Sequence, residues 1–137
     1  MTLELHATPE EVMRAVGAFE EFAQGQTVPE KFIHQLTLAL EECASNIVKH
    51  ALQGDAQRTF KANFGRTENE VFIELRDNGP AFDPTVHIDR RREDDAEAHG
   101  GWGIELVRRF MDELSYRRVG EENVLRLVKR LDTGGKI

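Results

Sequence analysis

Leu38-Ala39-Leu40-Glu41-Glu42-Cys43-Ala44-Ser45-Asn46-Ile47-Val48-Lys49-His50-Ala51 writes two patterns onto one helix. Leu36, Leu40, Cys43 or Ala44, Ile47 and Ala51 recur at steps of three and four, which lays an apolar face against a core. Glu42, Asn46 and His50 recur at the same steps on another face. A carboxylate, a carboxamide and an imidazole are thereby expected along one side of a helix, about a turn apart. The first pattern predicts a buried helix, and the second gives that helix a site.

Outward from it, Val28-Pro29-Glu30 starts the helix and Gln53-Gly54-Asp55 breaks it after about Leu52. Upstream, Leu3-Glu4-Leu5-His6 alternates and is short, the pattern of an edge strand. Thr8-Pro9-Glu10-Glu11 then caps a first helix that carries Val12, Val16, Phe19 and Phe22 and stops near Gly25. Downstream, residues 58–64 and 71–77 form a hairpin across a polar connection. From Asn78-Gly79-Pro80 to Gly103 apolar residues are few and residues 89–95 are a run of charges, so this is a loop or a functional lid. Gly100-Gly101-Trp102-Gly103 ends it, and Ile104, Leu106, Val107, Phe110 and Met111 open another helix. Residues 114–119 and 123–128 make a second hairpin across Gly120-Glu121-Glu122, and the tail from Asp132 frays. This order predicts an α+β two-layer sandwich with helices on one face of a mixed, mostly antiparallel sheet.

At 137 residues the chain has room for one domain, 1–137, and no second. Its formal charge of −7 argues against a surface for nucleic acid, which needs clustered Lys and Arg. No run approaches the roughly 20 apolar residues of a membrane span, and the first residues lack a basic region before an apolar one, so the expected location is cytoplasmic. Cys43 is the only cysteine, which excludes an internal disulfide, and its place on the helix marks it as core packing.

Three features interrupt regular elements: the helix face with Glu42 and Asn46, the strand end Asp77-Asn78-Gly79, and the junction Gly101-Trp102-Gly103. Each has a plain structural use as a solvated face, a turn or a tight connection. Each also suits a nucleotide. A strand-end carboxylate followed by glycine accepts from an exocyclic amine while a flat base approaches the backbone. Glycines opening a helix present free N–H groups to phosphates. An amide oxygen on Asn46 helps hold magnesium that otherwise takes waters and phosphates, and Glu42, a turn away, is placed to accept a proton from an attacking hydroxyl.

Together, Leu-Glu-Glu-Cys-Ala-Ser-Asn-Ile-Val-Lys-His-Ala, Arg-Asp-Asn-Gly-Pro-Ala-Phe-Asp-Pro and Gly-Gly-Trp-Gly-Ile-Glu-Leu-Val-Arg-Arg-Phe-Met-Asp-Glu-Leu resemble the N, G1 and G2 boxes of the GHKL (Bergerat-fold) ATP-binding superfamily. Within it they are most similar to the anti-sigma-factor serine/threonine kinases, and the closing Asn123-Val124-Leu125-Arg126-Leu127 fits that group's last strand. The resemblance implies ATP and Mg2+ as cofactors, with Asn46 holding the metal, Glu42 as general base, Asp77 reading the adenine amine and Gly79 lining the base. It further implies that Gly101 and Gly103 border the phosphates beneath a lid of about residues 85–100, and that Lys49 approaches them. Two positions depart from the pattern. Ala81 stands where many relatives have a second glycine, and Trp102 replaces an aliphatic residue, either stacking on a base or partner or packing on the lid. Phe82 is expected in the core.

The implied activity is ATP- and Mg2+-dependent phosphorylation of an anti-anti-sigma (STAS-type) antagonist by an anti-sigma regulatory factor, with a sigma factor as the other partner. A nucleotide-gated protein-binding regulator with little or no transfer is the alternative. The histidine-kinase alternative lacks a dimerisation segment carrying a phosphorylatable histidine. Relatives commonly form homodimers through the sheet or first helix. Leu3-Glu4-Leu5 and the face Val12, Val16, Phe19 are surfaces for this, or else parts of the monomer's own core.

Overall fold

The computed structural model describes residues 1–86 and 99–131, with backbone alone at 86 and 99–103. It begins with β1 (Thr2–His6), after which Thr8 caps α1 (Pro9–Gly25). The Thr8 hydroxyl oxygen accepts the Glu11 N–H at 3.2 Å, Pro9 supplies a preset φ, and Glu10 and Glu11 face the positive end of the dipole. The cap, proline and acidic pair act as the sequence predicts.

α2 (Glu30–Asn46) runs without interruption into a π-helical turn, Ile47–Ala51. There the Leu52 N–H reaches back five residues to the Ile47 carbonyl, at 2.9 Å. This turn changes the expected polar stripe. Asn46 is buried and Glu42 half-buried, but His50, within the widened winding, is exposed.

β2 (Thr59–Arg66) and β3 (Glu70–Asp77) follow as a hairpin. Beyond a short 3₁₀ turn, Pro84–Val86, come α3 (His99–Phe110), β4 (Glu113–Val119) and β5 (Glu122–Arg130). α3 starts at His99, before the Ile104 at which apolar spacing begins, because Gly100, Gly101 and Gly103 give a helix no side-chain pattern to read. The sheet order is β1-β2-β3-β5-β4, and all four pairings are antiparallel, so among the described residues the expected mixed sheet has no parallel ladder.

The inner sheet face and the helices share one apolar cluster that includes Phe19, Leu36, Leu40, Phe60, Phe64, Ile73, Ile104 and Leu127. Phe19 meets Phe64 edge-on with centroids 5.1 Å apart. Val12, Val16 and Phe19 all belong to this cluster, so the α1 face completes the monomer's core. On the outer sheet face the Phe72 ring occupies the space a side chain at Gly65 would need, and the Arg126 guanidinium lies 4.1 Å from its centroid. Among the described residues no helix is long and apolar enough to cross a membrane.

Candidate functional site

β3 ends on a carboxylate that the sheet has surrounded. Asp77 is buried, and its Oδ1 accepts the Gly79 N–H at 2.8 Å and the Asn123 Nδ2 at 2.9 Å. The first bond folds the chain into an Asx turn. The second crosses the β3–β5 ladder, whose register sets Asp77 opposite Asn123. Neither of these bonds uses Oδ2, which leaves that oxygen oriented by them without being consumed by them.

Asn123, itself buried, is the centre of this arrangement. Its Nδ2 also approaches the carbonyls of Pro80 at 2.9 Å and Gly79 at 3.4 Å. Its Oδ1 accepts from the Tyr116 hydroxyl at 2.5 Å, Arg118 Nη1 at 3.1 Å and the Phe82 N–H at 3.3 Å. Arg118 Nη1 donates to the Gly79 carbonyl as well, at 2.8 Å. A buried amide with these partners fixes the turn's shape from the sheet side. The motifs do not single out Asn123, Tyr116 or Arg118. A signal existed in the alternation of Asn123-Val124-Leu125-Arg126-Leu127: if Leu125 and Leu127 face inward, Asn123 does too, and an inward amide needs partners.

The Asx turn sits directly on the π turn. A Cβ at Gly79 would lie 2.5 Å from the Ala51 carbonyl oxygen, so this close approach admits only glycine. Between the two turns opens a pocket of about 380 Å³ that includes its mouth. Asn46, Asp77 and Asn123 give it polar walls, and Ile47, Ile104 and Leu125 apolar ones. Phe82, expected in the core, is instead half-buried at the pocket wall, with its ring centroid 6.4 Å from that of the exposed His50. It follows a turn that holds it at the rim.

Asn46 lines the same pocket from the end of α2. Its Nδ2 is buried and has no hydrogen-bond partner among the described residues. Leaving such a group unpaired costs roughly 1–3 kcal/mol, a cost that a ligand or an ordered water on it would remove. Among the described residues no three His, Cys, Asp or Glu side chains gather to hold a metal. The unpaired atom is a donor, which suits a phosphate or water oxygen; a magnesium ion that draws its other ligands from water and phosphate would take the Oδ1 of the same amide instead.

The structure thus brings Asn46 and Asp77 to one pocket, with Gly79 under its turn. Glu42 lies a turn before Asn46 on the same helix, Lys49 is exposed on the π turn, and Ala81 is exposed just past the Asx turn. None of these three is among the pocket's described lining residues. Gly101, Trp102 and Gly103 lie in the first turns of α3, and Gly101 falls among the opening N–H groups that lack intrahelical partners and suit an anion. The contacts of the Trp102 side chain lie outside the described residues, as does most of the expected lid, 87–98. Cys43 at the pocket floor is buried, and burial first and the Glu42 charge second push its thiol up, so it packs rather than reacts.

Residues 5–129 match the model of the histidine kinase-like ATPase domain. The serine/threonine-protein kinase BtrW of Bordetella bronchiseptica is 35% identical over 120 residues, which span 85% of this chain and 84% of that protein. The serine-protein kinase RsbW of Listeria innocua is 27% identical over 124 residues, 83% of this chain and 76% of that protein. Among solved structures, a chain of the SiaB–SiaC complex from Pseudomonas aeruginosa superposes with a TM-score of 0.68. That match covers 93% of this chain and 88% of the other at 12% identity, and so bears on the fold alone.

Proposed function

The chain belongs to the histidine kinase-like ATPase domain family, and from that premise we propose that it is an ATP- and Mg2+-dependent protein serine/threonine kinase. In this proposal it acts as an anti-sigma regulatory factor that phosphorylates an anti-anti-sigma (STAS-type) antagonist in partner switching. The observation that carries the proposal is the pairing of an oriented Asp77 with an unpartnered Asn46 amide across one pocket. Asp77 Oδ2 would accept the amine of an adenine laid against Gly79 and Ala81. Asn46 would hold the magnesium ion, which when bound neutralises phosphate charge. The start of α3 with Gly101, Trp102 and Gly103, together with Lys49, would face the phosphates.

Transfer joins the γ-phosphorus to the antagonist's hydroxyl oxygen and breaks its bond to the β-phosphate oxygen, with Glu42 taking the hydroxyl proton. Phosphoryl transfer depends chiefly on positioning and charge neutralisation, so this small set of groups is chemically sufficient. Relatives named serine or serine/threonine kinases support the substrate class.

Calorimetry with ATP, with and without magnesium, followed by incubation with labelled ATP and a candidate antagonist, tests the proposal. The expected result is magnesium-dependent binding that Asn46→Ala and Asp77→Ala each abolish, and label on a serine or threonine that Glu42→Ala prevents while ATP still binds. Binding without label on any antagonist tried would favour the nucleotide-gated regulator, and absence of ATP binding would end both.

A further inference from the structure

We infer that Arg58 and Arg118 are positioning residues for nucleotide binding, a clamp that holds the turn Asp77-Asn78-Gly79 in its binding shape from two sides. The inference rests on the proposed nucleotide pocket and adds to it two residues that are not among that pocket's described lining.

The turn needs holding from outside. From within, the bond from the Gly79 N–H to Asp77 Oδ1 closes it, and glycine gives the backbone there freedom to leave that shape. When the turn opens, Asp77 loses one of the two donors that orient its carboxylate, and the Gly79 backbone leaves the place where a base would lie.

The two arginines reach successive residues of the turn. Arg58, just before β2, donates from Nη2 to the Asn78 carbonyl at 3.1 Å and to Asn78 Oδ1 at 2.8 Å. Arg118, on β4, donates from Nη1 to the Gly79 carbonyl at 2.8 Å and to Asn123 Oδ1 at 3.1 Å. In the sheet β2 and β4 lie on opposite sides of β3, so the two grips come from different directions. The strand registers set Asp77 opposite Asn123 and Asn123 opposite Arg118, one row across three strands. One nitrogen of Arg118 thus holds both the turn and the amide that orients Asp77. All four oxygens gripped are acceptors and a guanidinium only donates, so neither set of bonds can reverse.

A clamp that does not touch the ligand acts on the fraction of molecules whose turn is ready, and the apparent dissociation constant varies as the inverse of that fraction. The fraction is set before the ligand arrives. ATP and ADP should therefore weaken by the same factor when the clamp is cut, whereas loss of a group on the γ-phosphate would weaken ATP alone. The Arg118 bonds are partly buried and the Arg58 bonds exposed, so Arg118 carries the larger share.

Calorimetry of the full chain with ATP and with ADP, both with magnesium, and amide exchange by NMR without nucleotide test this. Arg118→Met is expected to raise both dissociation constants by about tenfold, and Arg58→Met by about threefold. In Arg118→Met the Gly79 N–H should exchange about ten times faster while that of Ile73, in the middle of β3, keeps its wild-type rate. Arg118→Lys keeps a donor and is expected to recover most of the affinity. Unchanged affinity in either methionine variant, unequal losses for ATP and ADP, or Gly79 and Ile73 amides that speed up together would each overturn the inference and leave the reading of the pocket standing. Wild type that binds neither nucleotide would overturn both.

Discussion

Two buried asparagines face one pocket in opposite conditions. Asn123 spends its amide on carbonyls and a carboxylate and its oxygen on three donors, whereas Asn46 keeps an amide nitrogen without a protein partner among the described residues. Both are nearly as inaccessible as the apolar residues beside them, at 5% and 7% exposure. The difference separates two uses of the same side chain. One holds the fold in shape before any ligand arrives, and the other carries an unmet need that a ligand or water would meet. Polar burial alone does not tell them apart, but the list of partners does.

That contrast predicts opposite responses to similar substitutions. Asn123→Leu removes the amide's own bonds to the Asx turn and takes a donor from Asp77 Oδ1 and from the Pro80 carbonyl, while Arg118 still reaches the Gly79 carbonyl. Its expected cost is about 3 kcal/mol, read as a lower urea midpoint at unchanged slope, with nucleotide binding lost. Gly79→Ala attacks the seat of the same turn through backbone collision with Ala51, and about 1–3 kcal/mol is expected by the same assay. Asn46→Leu should behave in reverse, because the polar atom it removes had no partner. Unfolding free energy should stay within about 1 kcal/mol of wild type while calorimetric ATP binding disappears. If Asn46→Leu destabilises as much as Asn123→Leu, the contrast fails.

A smaller effect belongs to a half-buried carboxylate at the surface, Glu11. Glu11 is held down to about 2, first by its hydrogen bonds from Arg14 and then by the His6 N–H. A carboxylate depressed in the folded state contributes stability above its ordinary pKa, 4.5, and loses it as pH falls through about 2. Glu11→Gln should therefore destabilise at neutral pH by roughly 0.5 kcal/mol after solvent screening. The gap between variant and wild type should close between pH 4.5 and 2 in thermal melts.

What the sequence revealed follows the range of the forces involved. Thr8-Pro9-Glu10-Glu11, the apolar steps through Leu36, Leu40 and Ile47, and the turn after Asp77 are local patterns, and each element appears where they predict it. Asn46 and Asp77 were legible because each breaks a regular pattern with a polar group. Asn123 was not, because its significance arises only when β3 and β5 align in register and bring together residues 46 apart in sequence. That β4 lies at the other edge of the sheet was likewise not visible. Alternation identifies a strand but not which of its neighbours is missing, and the sequence pointed to β1, whose edge α1 side chains close.

The π turn at Ile47–Ala51 has a consequence for how this chain tolerates insertion and deletion. Such a turn is the form a helix takes when it accommodates one residue more than its regular winding needs. Deleting one residue there would return α2 to regular winding, yet everything beyond would rotate by about 100°. The Ala51 carbonyl would leave Gly79, and the two walls of the pocket would lose their shared contact. For the fold alone, length matters more than identity here: the winding would accept other side chains at the exposed residues 49 and 50, but not a gap.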